Sequence, residues 1–346
     1  MSQAQDLLDQ VSGQRRNLPL LVTPETCSGR TYIVTGANSG IGFEAAKHLV
    51  SCGAARVILA VRNITAGEKA KTDIEASTEK TGSAEVWHLD LASYESVKAF
   101  ANRAILELDR IDALIENAGV ATGLENLAEG HPATLTVNVY STFLLAVLLF
   151  PKMKEDAQRL KITPHIVVVS SSVSFAAQPL WDQVKDDVDP LTKIINVEGM
   201  DMTNGYTTAF PAVYTVSKLF EALAIRHIAP LIPVSRTGVI LNFVCPGLCK
   251  TDISRNATSE VQEMASKMME AIGRTSEDGS RPVLFAAIAG PNSRGKFTAD
   301  CEIKDDTVIP DWAKGQDGGK GLQLLWDAIA REIESVEPGS VAKALS

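Results

Sequence analysis

The sequence predicts a doubly wound α/β domain built on one parallel sheet. Three observations carry that prediction. From residue 31 onward, short apolar runs alternate with longer amphipathic stretches, the rhythm of βαβ units. The runs are continuously apolar, as strands are when helices cover both faces of a sheet. A glycine-rich stretch, Thr35-Gly36-Ala37-Asn38-Ser39-Gly40-Ile41-Gly42, follows the first run directly, where such a fold turns from strand into helix.

The elements follow in order. Residues 1–30 lack a clear strand and contain Pro19, Pro24 and Gly29, so they read as an arm on the surface before the first core strand. Strands are expected at 31–35, 56–61, 85–89, 113–116 and 166–170, with helices at 41–52, 66–80, 93–108 and 132–153 between them. A further helix carries Tyr214 and Lys218, and 238–244 supplies the next strand. Past Pro246-Gly247, the stretch 260–272 places Val261, Met264, Ala265, Met268 and Ile272 at helical spacing. That helix either packs on the core or covers a substrate pocket with adaptable methionines. Residues 321–336 also read as a helix, packed on the same domain. The chain of 346 residues is long for one domain, yet single α/β domains reach this size, so 31–346 is read as one.

Composition narrows the function. With 45% hydrophobic and 22% charged residues, the chain is an ordinary globule rather than an extended disordered one. The net charge of -9 is spread along the sequence and would repel a phosphate backbone, which excludes nucleic acid as an expected partner. Cys27, Cys52, Cys245, Cys249 and Cys301 form no Cys-x-x-Cys and no paired framework, so reduced thiols in the cytoplasm are expected. The polar, acidic residues 1–10 show no secretory signal. The strongest apolar run, 143–150, falls short of the roughly 20 residues that span a bilayer. The five histidines are dispersed without ligand spacing, so no metal is expected.

Two local patterns point to chemistry. The glycines allow backbone to approach a pyrophosphate at a helix N-terminus. Tyr214 and Lys218 stand one helical turn apart, where a cation favours ionised oxygen and lowers a phenol pKa from about 10. At the end of the second strand, Arg62 occupies the place where an acid would bind a free ribose 2′-hydroxyl. A guanidinium there suits a 2′-phosphate, which favours NADP(H) over NAD. Asp90, in His88-Leu89-Asp90-Leu91, ends the third strand as an acceptor for the adenine amino group.

In these motifs the chain resembles the short-chain dehydrogenase/reductase family, a Rossmann-type fold. The resemblance covers about residues 31–252. The glycine turn matches Thr-Gly-x-x-x-Gly-x-Gly, with Gly36, Asn38, Ser39, Gly40, Ile41 and Gly42 as its cofactor-binding residues. Asn117-Ala118-Gly119 matches the family's Asn-Ala-Gly, and Tyr214/Lys218 its Tyr-x-x-x-Lys. Pro246-Gly247 with Thr251 is similar to the segment at the nicotinamide end, and Leu91 joins Asp90 at the adenine end. The resemblance implies Tyr214 as general acid or base, and Lys218 as the group that lowers its pKa and holds ribose. It implies a serine that polarises the carbonyl, Ser171 with Ser172 as rival, and Asn138 as anchor of a water relay.

Two departures stand out. Glu116 replaces the asparagine that often precedes Asn-Ala-Gly. The interval between Ser171 and Tyr214 is far longer than the family's common dozen or so residues, so 174–211 is an insertion. It holds Trp181, Asp186, Asp187, Asp189, Met200, Met202, Tyr206 and Phe210, which suit a pocket roof with a solvated edge. Residues 253–346 form a substrate-side extension. Similar insertions occur in carbonyl reductase-like, retinol dehydrogenase-like and fungal members, and some of these are monomers, so monomer and homodimer both stay open. The expected function is NADP(H)-dependent reduction of a ketone or aldehyde, or oxidation of the alcohol, on an apolar small molecule, in a setting such as fungal secondary metabolism. The alternatives are a non-redox cyclisation, isomerisation or dehydration on the same fold, and a nucleotide-sensing binding protein.

Overall fold

The computed structural model describes residues 17–197, 211–255, 258–314 and 319–346. Eight strands form one sheet: β1 (Thr31–Thr35), β2 (Arg56–Val61), β3 (Ala84–His88), β4 (Ala113–Glu116), β5 (His165–Val169), β6 (Ile240–Cys245), β7 (Phe297–Ala299) and β8 (Glu302–Ile303). Their order is β8-β7-β6-β5-β4-β1-β2-β3. Only the edge pair β7/β8 is antiparallel; the other neighbours run parallel. The chain runs from β1 outward to β3, then returns across to β4 on the other side of β1. That reversal opens a crevice at the carboxyl ends of β1 and β4.

Helices cover both faces. Against one lie α1 (Gly40–Ser51) and α2 (Ile64–Thr78). Leu49, Val50 and Ile74 are buried there with Val283 and Leu284. Against the other lie α3 (Tyr94–Glu107) and α4, a continuous helix over Ala133–Leu160. Phe100, Phe143 and Phe150 fill that side. Ser93 caps α3 by accepting from the Ser96 amide at 3.3 Å, and Asn63 caps α2 by accepting from Ala66 at 3.0 Å; each satisfies an amide that the first helical turn leaves open.

Helix α4 runs past its expected end at 153 because buried Asp156 holds that end in place. Its carboxylate accepts from the Ile111 amide at 3.0 Å and pairs with Lys152 at 2.6 Å and Arg159 at 2.8 Å. By length and composition α4 could cross a bilayer, and 89% of its most apolar window is buried inside the protein. Two short helices, α5 (Gln178–Val184) and α6 (Pro190–Ile194), precede α7 (Ala212–Leu231), which carries Tyr214 and Lys218. The next helices are α8 (Ser259–Ile272) and α9 (Ser276–Ala286). Helix α9 packs on α1, though Pro282 inside it hides its helical pattern in the sequence.

A third layer follows. Helices α10 (Gly319–Val336) and α11 (Ser340–Leu345) cover the outer sides of α7 and α4. Trp326 of α10 meets Phe143 edge to face at 5.9 Å, and Trp181 of α5 meets Phe220 of α7 at 6.2 Å. Helix α7 is therefore buried nearly all round, which places its polar residues Tyr214, Lys218 and Glu221 inside the protein. Strands β7 and β8 are too short to register as sequence periodicity.

Candidate active site

At the end of β1 the chain turns through Gly36 (φ +67°) and Gly40 (φ +59°), conformations that strain any residue with a Cβ. Gly42 is required for space instead: a Cβ there would lie 2.5 Å from Asn117 Nδ2 and 2.8 Å from the Gly36 carbonyl oxygen. Asn117 Nδ2 donates to the Thr35 carbonyl at 2.9 Å, and the Ala118 amide donates to Thr35 Oγ1 at 2.9 Å. The glycine turn and Asn117-Ala118 are thus stitched face to face across β1 and β4. Ser39 is the N-cap of α1, yet its side chain makes no capping bond. The first-turn amides of α1 are left to an incoming anion, so the turn fits a pyrophosphate. Thr251 closes over the turn, its Cγ2 only 3.4 Å from where a Cβ on Gly40 would stand.

Arg62 is exposed just past β2 and Asp90 lies just past β3. The parallel register pairs Val61 with His88, so both residues emerge at the same end of the sheet. Asp90 Oδ1 accepts from the Ala92 amide at 3.0 Å, and the Asp90 amide donates to Ser96 Oγ at 2.9 Å. Leu91 is buried beside it.

Tyr214 and Lys218 sit on the side of α7 that faces the crevice, only 8% and 4% exposed. Asn138 lies in a π turn of α4, Thr136–Ser141. Its Oδ1 accepts from the Val120 amide at 2.9 Å; its Nδ2 donates to the Val120 carbonyl at 3.0 Å and to Ser217 Oγ at 2.9 Å. A Cβ on Gly119 would stand 3.3 Å from Asn138 Oδ1 and 3.6 Å from Lys218 Nζ. That glycine is where β4, α4 and α7 converge.

A cavity of about 120 Å³ opens onto this point, lined by Ile41, Asn117, Gly119, Ser171, Ser172, Tyr214, Lys218, Pro246, Gly247 and Thr251. Its remaining wall includes Val173, Leu248, Ile253, Met268 and Met269. Ser171 begins the 3₁₀ turn Ser172–Ala177 and makes no capping bond to it. Ser172 is engaged by Cys245: its amide donates to Sγ at 3.4 Å, and the thiol lies 3.7 Å from its hydroxyl. Ser170 is buried and donates to the Lys218 carbonyl at 3.0 Å.

The sequence led to the expectation of a lowered Tyr214 pKa, whereas the surroundings of the phenol act in the other direction. Lys218 is held by an acid and a backbone carbonyl. Its Nζ lies 6.0 Å from the Tyr214 ring centre and donates to Glu221 Oε1 at 2.7 Å and to the Val169 carbonyl at 2.9 Å. Burial, followed by the negative charge of Glu221, raises the Tyr214 phenol pKa instead. A second correction concerns α8. Met264 is exposed, whereas Val261, Ala265 and Met269 form the buried stripe and Met268 joins Met269 at the cavity. Glu221, Cys245, Met269 and Arg274 were not legible as site residues. Of these, only Glu221 had a signal, an acid three residues after a catalytic-type lysine on one helix face. In the expected roof, Trp181 is buried, while Met200, Met202, Tyr206 and Phe210 lie outside the described residues.

A phosphate-receiving turn at the switch point of the sheet, next to a buried phenol and ammonium, defines an α/β oxidoreductase of the nucleotide-dependent class. The chain belongs to the short-chain dehydrogenase/reductase family, enzymes acting on CH–OH and C=O groups. The family model for short chain dehydrogenases matches residues 30–183. The short chain dehydrogenase/reductase dmxR8 of Cryptosporiopsis sp. is 37% identical over 313 residues, covering 90% of this chain and 93% of its own. The short chain dehydrogenase atnD of Emericella nidulans is 37% identical over 279 residues, 78% of this chain and 83% of its own. Among solved structures, a putative NAD(P)-dependent gluconate 5-dehydrogenase from Beutenbergia cavernae with bound NADP is 25% identical. It superposes with a TM-score of 0.57 over 79% of this chain and 95% of its own. Salutaridine reductase from Papaver somniferum, 25% identical, gives 0.58 over 78% and 99%.

Proposed function

We propose that this chain is an NADP(H)-dependent reductase of a ketone or aldehyde on an apolar small molecule, able to oxidise the corresponding alcohol in reverse. The observation that carries the reading is the convergence of Ser171, Tyr214 and Lys218, with Asn138 behind Gly119, on a cavity with a wall of Leu248, Ile253, Met268 and Met269. The first group suits an oxygen that gains charge and the second an apolar skeleton.

The bound dinucleotide supplies or accepts the hydride. The glycine turn and the open amides of α1 receive its pyrophosphate, Arg62 its 2′-phosphate, and Asp90 with Leu91 its adenine end. Asn117, Ala118, Gly119, Pro246, Gly247 and Thr251 surround its nicotinamide end. The NADP bound by the related putative gluconate 5-dehydrogenase agrees with this assignment. Tyr214 donates its phenol proton to the carbonyl oxygen, and takes it back in the oxidation direction. Ser171 donates a hydrogen bond to the same oxygen; Ser172 is the weaker choice because Cys245 already engages it. Lys218 supplies positive charge beside the phenol and to the ribose, and Asn138 holds the loop and helix against it.

Replacement of Arg62 by Asp puts a like charge against the 2′-phosphate and removes a charge-assisted bond. The NADPH to NADH preference, measured as a ratio of kcat/KM values, is expected to fall by about 10- to 100-fold. An unaltered ratio refutes the phosphate clamp.

We read 174–211 as the pocket roof, 253–346 as the extension that brings α8 to the substrate, and 1–30 as an arm on the one domain 31–346. Helix α4 is read as a core helix, not a membrane span. The buried thiols Cys27, Cys52, Cys245 and Cys249 agree with a reducing cytoplasmic setting, and relatives in fungi such as Emericella nidulans agree with a role in fungal secondary metabolism. Helices α10 and α11 occupy the outer sides of α7 and α4, where a second copy would otherwise dock, so the chain acts as a monomer. Light scattering on a sizing column is expected to return one chain's mass, and a dimer mass would refute this.

A further inference from the structure

One turn beyond Lys218, α7 carries a buried acid that the proposed chemistry does not use. Glu221 is 1% exposed; its Oε1 lies 2.7 Å from Lys218 Nζ and its Oε2 has no hydrogen-bond partner. Glu116, at the end of β4, is 2% exposed, and neither of its carboxyl oxygens has a hydrogen-bond partner. Glu116 stands in register with Val168, next to the Val169 carbonyl that Lys218 Nζ binds, so one ammonium lies between the two acids' elements and acts on both. Thr35 of β1 and Ser170 just past β5 bring hydroxyls near the acids but no charge. Tyr214 is the remaining titratable group, and its phenol feels the charge of Glu221.

Two ionised carboxylates against one ammonium would leave a net negative charge in a dry interior, which is costly. One proton on the acid pair brings the cluster to neutrality, and interacting acids of this kind titrate as a unit. We propose that Glu221 is a positioning residue for Lys218 that shares a single proton with Glu116, so that the charge on the pair sets whether the ammonium faces Glu221 or Tyr214. With the pair singly ionised, Lys218 is held at Glu221 as observed. When the pair is neutral, the ammonium is released toward the phenol, which becomes more acidic. This rests on Tyr214 being the acid-base group proposed above.

The first test needs neither cofactor nor substrate. Burial, with Lys218 opposing it, raises the Glu221 pKa to about 7, and burial and Glu221 raise that of Glu116 well above the usual carboxyl range. A carboxyl whose folded value is raised keeps its proton in the fold after the unfolded chain has lost it at about 4.3. Stability should therefore fall as pH rises from about 4.3, and fall less steeply once the Glu221 proton is lost at about 7. In Glu221→Gln the share of that fall due to Glu221 is removed, so its Tm relative to wild type should climb by about 4 °C between pH 5 and pH 7.5. Glu116→Gln provides the same readout should Glu221→Gln fail to fold. A Tm difference independent of pH in whichever variant folds overturns the shared proton.

The second test is the pH profile of alcohol oxidation with NADP. Loss of the Glu221 charge should move the rising limb of kcat about one unit toward lower pH in Glu221→Gln, with little change in alcohol KM. A limb that stays in place overturns the positioning role. If Tyr214 proves not to be the acid-base group, the pH-dependent unfolding still stands, so the two failures are distinguishable.

Discussion

Tyr214→Phe is expected to lower carbonyl reduction by about 10²- to 10⁴-fold, the range that a positioned general acid contributes, while cofactor binding stays close to wild type. The phenyl ring keeps the packing of Tyr214 in the cavity lining, and the missing atom is the phenol oxygen alone. Residues of the glycine turn, Arg62 and Asp90 lie on other elements, so the dinucleotide's grip is unaffected. Single-turnover rates with saturating NADPH, alongside fluorescence titration of the cofactor, separate the two quantities. Turnover at the wild-type rate would remove Tyr214 from the mechanism.

Arg274→Ala is expected to carry the largest stability loss. Arg274 is 2% exposed in the loop between α8 and α9. Its guanidinium donates to the Pro246 carbonyl at 2.8 Å and pairs with Asp300. Its backbone also ties the strand-end loop, the Arg274 amide to the Leu248 carbonyl at 2.8 Å and the Lys250 amide to the Arg274 carbonyl at 2.9 Å. Breaking a buried pair by removing one partner costs about 3–5 kcal/mol. In a chain of this size that is a Tm loss on the order of 4–7 °C. Because the anchor holds Pro246-Gly247, the KM for NADPH should rise as well. Thermal unfolding and cofactor titration check both, and an unchanged Tm would show that the pair does not brace the loop.

The sequence exposed the parts of the site that are local. Strands β1, β2 and β4 coincide with the expected 31–35, 56–61 and 113–116 because each is a continuous apolar run closed by a turn. Helix α7 was recognisable from Tyr214 and Lys218 alone, since one helical turn fixes their shared face. Short edge strands such as β7 and β8, and α9 with its internal Pro282, lack the length or regularity that periodicity requires.

What the sequence by itself determined was the βαβ order, the glycine turn and the Tyr–Lys pair, each set by backbone conformation or by residues within a few positions of one another. The tertiary structure alone decided which distant groups share the interior: Asn117 against Gly42, Met269 and Leu248 in the cavity wall, and Arg274 under Pro246. It also buried Glu116 of β4 and Glu221 of α7 within reach of one ammonium, and paired Lys218 with Glu221. Sequence spacing cannot report such meetings, because strand order and helix packing create them, and the low dielectric of the interior then gives their charges weight.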